Sequence, residues 1–469
     1  MTLDALTRHL RCPACGSGLA LERHPQADAE VGECGLLQCE CSAYPVLDGV
    51  PMIRAGALSR RSIADGQVMA PGLEVAEVVR LVEAGRALDA LVDVLSPPVC
   101  PWPLNYSGAG RRLSLAPPVR AAGLAVRRRR VRRMLARRDA LTAEDWLAAL
   151  YWHAPEIYDP FNYFFFRFGT PRHLAPLGML SALPAGGPVL DLASGCGHLG
   201  HTLSAQGRDV VGLDQNAHQA WLARHYVAPG AAFVCADADA PLPFHDGAFA
   251  SAFCSDAFHY IRGKGACLGE LDRATSGGPV FLITVGNGDV GFPDGHELDP
   301  AGYAGLLDGW SWVVCTEADT LERYLEGHGP DLSASAPAAD VAVTKWLSYV
   351  ATRQPDGFFR DHGPLAEWPH ASGALGINPL YKRHADRLSL RLPSLTYEIE
   401  NGGVRAYMPA VVSLEDDRDA LIALAVVVGQ PERYRRPTGR PWTMVANRHL
   451  HDLVRQLRGG PTPAQRAGA

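Results

Sequence analysis

Between residues 176 and 315 short apolar runs alternate with helical patterns, and that alternation constrains the fold more than any other feature of this 469-residue chain. A strand that feeds a helix and returns to a neighbouring strand builds a parallel α/β sheet with helices on its faces. The pattern predicts strands over 189–192, 209–213, 232–235, 251–254 and 280–285. Helices are expected over 199–205, 220–226 and 266–274, the last stopped by Gly277-Gly278 just before the fifth strand.

The first strand runs into Asp191 and then a turn of small residues, Ala193 to Gly197, that opens a helix. Small residues there let the backbone approach a ligand that larger side chains would strike. Asp191, at the strand end, can accept a hydrogen bond from a ligand ammonium. Asp214 ends the second strand 23 residues later, where a carboxylate can accept from both hydroxyls of a ribose. Asp237 follows the third strand, where it can accept from an adenine amino group. A glycine turn alone is common to many nucleotide-binding proteins; three acids at successive strand ends point to one bound nucleoside. No Gly-Lys-Ser/Thr follows the turn, which excludes a P-loop. A nicotinamide site would need a different loop and no acid for the adenine.

Four segments carry a resemblance. They are Val-Leu-Asp-Leu-Ala-Ser-Gly-Cys-Gly at 189–197, Val-Val-Gly-Leu-Asp at 210–214, Cys-Ala-Asp-Ala-Asp-Ala-Pro-Leu-Pro-Phe from Cys235, and Cys-Ser-Asp-Ala-Phe-His-Tyr-Ile from Cys254. In this order, over about residues 185–290, they resemble the class I S-adenosylmethionine (SAM)-dependent methyltransferases. The resemblance implies a Rossmann-like sheet and a SAM cofactor. It places Asp191, Ala193, Ser194, Gly195 and Gly197 at the amino-acid part of SAM, Asp214 and Gln215 at the ribose, and Asp237 and Ala238 at the adenine; Ser255 joins them as a cofactor contact. Ala193 replaces the usual first glycine, and Ala250 replaces the acid that usually follows Phe249.

Methyl transfer from a sulfonium is an in-line displacement, so alignment and exclusion of water are the main tasks. A base is needed only when the acceptor carries a proton of high pKa. The family places its acceptor after the fourth strand, at Ser255-Asp-Ala-Phe-His-Tyr260. His259 is the candidate base, or it packs on the sheet at a helix start. Asp256 is a second catalytic candidate; it could equally orient the methionine of SAM or cap that helix. Ala257-Phe258 follows it in place of the Pro-Pro-aromatic of base-methylating relatives. The aromatic run Phe161 to Phe166 is read as a lid over the substrate or as core.

Near the N-terminus Cys12-Pro-Ala-Cys15 and Cys39-Glu-Cys41 flank 23 residues. Paired thiolates on two turns suit tetrahedral Zn2+ in a unit too small to fold unaided. The second pair is Cys-x-Cys, and Cys34 is a possible substitute ligand. With Gly35 to Pro51, the segment resembles the small zinc-ribbon activators that partner, or are fused to, methyltransferases. A closed four-sulfur site is structural, because it leaves no open metal position.

Between Pro101 and Asp139 there are eleven Arg and one Asp, while the whole chain carries a net charge of −6. Arg127 to Arg138 keeps apolar residues at helical spacing. This helix could contact RNA or anionic phosphates; it could equally be solvated or paired with the acidic remainder of the chain. Interleaved aromatics for stacking bases are missing.

The chain divides into a zinc ribbon (1–54), a helical region with the Arg-rich helix and a Pro-rich break over 97–118 (55–175), a SAM-binding domain (176–315) and a mixed α+β C-terminal region (316–469) whose tail after Gly459 is expected to be disordered. No apolar run long enough to span a bilayer and no secretory h-region are present, so a cytoplasmic location is expected. The leading expectation is methylation of a small molecule, such as a specialised metabolite or sugar. RNA methylation through the zinc module and the Arg-rich helix is a second reading, and a non-catalytic partner that keeps the SAM fold is a third.

Overall fold

The structure, a computed structural model, describes residues 1–25, 30–58, 73–96, 117–151, 160–290, 296–365, 374–393, 397–398, 401, 404–405, 408–413 and 427–434. The expected break over 97–118 lies, up to residue 116, outside the described residues, and so does the tail after Gly459.

The N-terminal unit is a helix, α1 (Leu3–Thr7), and a four-stranded antiparallel meander of β1 (Ala20–Arg23), β2 (Gly35–Gln38), β3 (Ala43–Leu47) and β4 (Val50–Pro51). Among the described residues four helices follow it: α2 (Val75–Glu83), α3 (Ala87–Val94), α4 (Pro117–Leu135) and α5 (Ala143–Tyr151). Two short helices, α6 (Pro160–Phe165) and α7 (Pro171–Leu180), lead into the central sheet.

That sheet has seven strands: β5 (Val189–Leu192), β6 (Val210–Asp214), β7 (Ala232–Cys235), β8 (Ser251–Ser255), β9 (Val280–Gly286), β10 (Ser311–Thr316) and β11 (Trp346–Thr352). Counted within the sheet in chain order, they lie 3-2-1-4-5-7-6. The first five are parallel, and β11 runs antiparallel to both of its neighbours. This is the Rossmann-like sheet expected from the sequence. The five parallel strands lie within two residues of their expected bounds, because strands covered on both faces are continuous apolar runs. Helices α8 (His198–Ala205), α9 (Ala217–Leu222) and α10 (Lys264–Thr275) connect them. The second expected helix ends early, widening into a π-helical turn over Ala223–Val227. The sheet also runs past residue 315, since Trp346–Thr352 is its seventh strand.

Strand order reverses between β5 and its neighbours β6 and β8, and ligands of such sheets bind at that switch point, beyond the carboxyl ends of the strands. At the other edge of the parallel set, β7 is covered by the N-terminal unit. Met52 bridges Cys235 in parallel, and Ile53 N–H donates to Cys235 O at 2.8 Å. An otherwise unpaired edge is thereby closed.

Past the sheet, β12 (Ala374–Ile377) pairs with β16 (Val427–Gln430), and β13 (Tyr381–Arg383), β14 (Arg387–Leu390) and β15 (Val411–Ser413) form a small sheet. The chain then returns to the centre: Ala143 N–H and Glu144 N–H donate to Arg433 O and Tyr434 O, both at 2.8 Å. Buried Tyr434 donates its hydroxyl to Phe164 O at 2.7 Å and lies 3.0 Å from His198 Nε2. Among the described residues no helix is long and apolar enough to cross a membrane.

Candidate active site

A cavity of about 390 Å³ opens at the switch point. Asp191, Ala193, Ser194, Gly195, Asp214, Gln215, Asp237, Ala238, Ser255 and Asp256 all line it. Two expected residues do not. Gly197 starts α8 at φ 78°, and a Cβ there would sit 2.8 Å from Phe233 and 2.9 Å from Ala223. It lets the helix close on the sheet and does not line this cavity. His259 is 1 % exposed and lies behind the cavity wall.

The turn after β5 explains the choice of small residues. Ala193 and Gly195 adopt left-handed backbone, with φ of 60° and 53°. For Ala193 that conformation costs about 1–2 kcal/mol, which a glycine would avoid. The turn is pinned across strands: Ser194 N–H donates to Leu213 O at 3.0 Å, and Gly195 N–H to Asp214 Oδ2 at 2.9 Å. Asn216 N–H reaches Asp214 Oδ1 at 2.8 Å. Each oxygen of Asp214 keeps a second lone pair.

Asp191 is 3 % exposed, and among the described residues none donates a hydrogen bond to its carboxylate. Burial, and then the charge of Asp214, push its pKa well up. Burial also raises that of Asp214. The hydroxyls of Ser194 and Ser255 are buried with no partner among the described residues. Asp237 accepts from Asp239 N–H at 3.1 Å and pairs with Arg54 at 3.4 Å. Asp239, also in the wall, takes Arg262 N–H and Gly263 N–H on one oxygen, both at 2.8 Å, and so holds the loop after Tyr260.

Asp256 stands beyond β8 with φ 56°. Tyr163 OH donates to it at 2.7 Å, Arg167 at 2.8 Å and Arg172 at 3.3 Å. Burial alone would raise its pKa, but Arg172 and Arg167 hold the carboxyl well below the usual range. It caps no helix: the turn Phe258–Tyr260 and α10 both start without a side-chain cap. The His259 ring packs against Tyr260, 4.1 Å between centroids, and Trp346, 5.7 Å. Both its nitrogens lack a hydrogen-bond partner among the described residues, and burial lowers its pKa.

The aromatic run divides between the two roles expected for it. Tyr163 and Phe164 line the cavity, while Phe165 stacks on Tyr434 and Phe166 meets Tyr397 edge-on. Arg167 lines the cavity beside them and was not singled out from the sequence. Its signal was the spacing: Tyr163 and Arg167, four residues apart, join in a hydrogen bond of 2.7 Å, as i, i+4 partners do.

At the N-terminus the sulfurs of Cys12, Cys15, Cys39 and Cys41 lie within 4.8 Å of one another. Three of the separations are 3.5, 3.6 and 3.7 Å. A tetrahedral ion with metal–sulfur bonds of about 2.3 Å sets its ligands about 3.8 Å apart, so the donor set fits zinc. Cys34 stands outside the group. It is buried, its sulfur accepts from Asp48 N–H at 3.5 Å, and burial pushes its thiol up to about 11.

The Arg-rich helix α4 is divided. Arg127 is buried, Arg128 pairs with Asp93 and Arg132 with Asp89, and Arg138 just past the helix reaches Asp48 at 2.8 Å. Arg129, Arg130, Arg133 and Arg137 are exposed, with no ion pair among the described residues.

Residues 189–278 match the family model for a methyltransferase domain. Similar solved structures include a TehB-like SAM-dependent methyltransferase from Corynebacterium glutamicum, 19 % identical over 39 % of this chain and 87 % of that one, with a TM-score of 0.30. A SAM-dependent methyltransferase from Mesorhizobium loti is 19 % identical over 39 % of this chain and 99 % of that one, TM-score 0.30. A chain from the complex of the Haloferax volcanii Trm112 methyltransferase activator with a methyltransferase is 19 % identical over 40 % of this chain and 89 % of that one, TM-score 0.29. No curated protein matches the sequence.

Proposed function

We propose that this methyltransferase transfers the methyl group of SAM to a small-molecule acceptor held over the cavity at the switch point. One observation carries the cofactor reading: Asp191, Asp214 and Asp237, at or just past the tips of three strands, line a single cavity of about 390 Å³. Asp191 binds the ammonium, which supplies the hydrogen-bond donor that no described residue gives its buried carboxylate. Asp214 and Gln215 hold the ribose, and Asp237 and Ala238 the adenine. Ser194 and Ser255 offer their unpartnered hydroxyls to the methionine end, where Arg167 supplies a cation near the carboxylate of SAM.

The cofactor brings an electrophilic methyl and its own leaving group; the protein's residues align and exclude water. Asp256, already holding two guanidiniums and a phenol, is unsuited to accept a proton, and its role is to fix Arg167 and Tyr163. His259, with neither nitrogen hydrogen-bonded among the described residues, packs behind Tyr260, which does line the cavity. The aromatic wall of Tyr163, Phe164 and Tyr260 fits a small acceptor. Cys12, Cys15, Cys39 and Cys41 hold a structural Zn2+ that shapes the ribbon.

The exposed stripe of Arg129, Arg130, Arg133 and Arg137 favours a second reading, RNA as acceptor. Retention on an RNA probe that weakens steeply with salt, and is lost when these four are changed to Gln, supports it. Binding unaffected by those changes removes it. Methyl transfer from labelled SAM into a small-molecule extract, with none into RNA, is the outcome expected of the leading reading.

A further inference from the structure

Where the ribbon joins the sheet, it also delivers a side chain. Met52 and Ile53 run parallel to the end of β7, and Ile53 N–H bonds Cys235 O. In that register the next residue, Arg54, comes level with the residues just past the strand tips. Its Nη2 lies 3.4 Å from Asp237 Oδ2, and its Nη1 lies 3.4 Å from Gln215 O. One guanidinium therefore bridges the ends of the second and third strands of the sheet. The side chain is 14 % exposed, and its Nε is buried with no partner among the described residues. Arg54 does not itself line the cavity, so whatever it does for the cofactor it does through Asp237 and Gln215.

Resting on the SAM reading above, we propose that Arg54 is a positioning residue for adenine recognition, so that the ribbon contributes to cofactor affinity and base selectivity. Asp237 has one oxygen engaged by Asp239 N–H and the other by Arg54. Held at both oxygens, the carboxylate cannot rotate away from the base. It presents a fixed acceptor to the adenine amino group and a fixed repulsion to the carbonyl that hypoxanthine carries instead. A guanidinium suits the position because its planar fork spans a carboxylate and a carbonyl together; an ammonium is a single point of charge. The alternative is a partly exposed ion pair, which contributes little to stability and nothing to selectivity.

The test compares S-adenosylhomocysteine with S-inosylhomocysteine, by calorimetry, on the full chain and on Arg54→Gln and Arg54→Lys. The expected result is a loss of affinity for the adenosyl ligand of about tenfold in Arg54→Gln, and less in Arg54→Lys. The preference for the adenosyl over the inosyl ligand narrows in both. In steady state KM for SAM rises while kcat at saturation stays within about twofold, the pattern of lost binding shared by ground and transition states. In an Asp237→Asn background Arg54→Gln adds little further loss. Arg54→Lys keeps the charge and the buried stem, and it guards against a Gln variant that does not fold. Unchanged affinity and unchanged preference in both variants, with metal content and melting temperature at the parental values, overturns the proposal. A parental chain that binds neither ligand overturns the SAM reading itself.

Discussion

Asp48 and Asp191 are two aspartates, each 3 % exposed, and their surroundings are opposite. Asp48, in the ribbon, accepts from Gly32 N–H at 2.9 Å, Arg138 at 2.8 Å and Trp221 Nε1 at 2.8 Å, with His225 3.2 Å away. It ties the ribbon to the end of the Arg-rich helix and to the helix after β6. Burial would raise its pKa, but His225, Arg138 and these donors lower it. Asp191, in the central sheet, has no such donor among the described residues, and burial raises its pKa. A buried carboxylate is costly unless it is paired. The ribbon meets that requirement from within the chain; in the sheet no described residue donates to the carboxylate. Burial alone therefore does not separate the two acids; the presence or absence of donors among the described residues does.

The largest effect that sharpens this contrast is on stability. Asp48→Ala leaves Arg138 with a backbone carbonyl but no carboxylate, strands Trp221 Nε1 without its acceptor, and should cost about 3 kcal/mol in denaturant unfolding. Asp191→Asn should leave stability unchanged or raise it. An equal loss in both variants breaks the contrast.

Next comes ligand affinity, where the order reverses. Asp191→Asn should weaken SAM binding by about ten- to a hundredfold, the scale of a lost hydrogen bond to a charged group. A conservative change at Asp48, to Asn, should leave the affinity of the folded fraction within about twofold. The pH dependence follows the same division. The folded pKa of Asp48 is lowered, so its contribution is present above the unfolded value, about 3.9, and is lost as pH falls through the folded value. The folded pKa of Asp191 is raised, so in the ligand-free protein its ionisation lowers stability as pH rises from the unfolded towards the folded value. Unfolding measured from pH 3 to 7 in each Asn variant separates the two slopes.

A middle-sized effect is expected on metal removal. Chelation should lower the melting temperature of the ribbon and release one zinc per chain, with proton uptake as the thiols recover their hydrogens. Metal analysis that finds none refutes the assignment of the four cysteines. Smallest of all, Arg129→Gln with Arg130→Gln should change stability by less than about 0.5 kcal/mol, since neither has an ion pair among the described residues. A larger loss points to an internal partner and weakens the case for an external one.

The five parallel strands and the cavity-lining Asp191, Asp214 and Asp237 could be read in the sequence because each lies at or near the end of an apolar run; Asp239, also in the wall, gave no such signal. Two kinds of feature could not. Trp346–Thr352 joins the sheet only after an excursion of 29 residues from the end of β10, and its alternation resembles that of any short strand. Met52 and Ile53 read as apolar, but nothing in them says which edge they cover or that Arg54 then meets Asp237. The network of Tyr163, Arg167 and Arg172 on Asp256 is likewise made across 84 to 93 residues of sequence. Gly197 was read as a ligand contact because loop glycines on either side of a helix start look alike; only the packing of Phe233 and Ala223 tells them apart.

The most direct measurement is a calorimetric titration of SAM into the full chain and into Asp214→Ala, with metal content and melting temperature recorded for both. The account predicts one site per chain in the parent and at least tenfold weaker binding in the variant, with fold and metal retained. Equal affinity in the two proteins, or no binding in the parent, contradicts it.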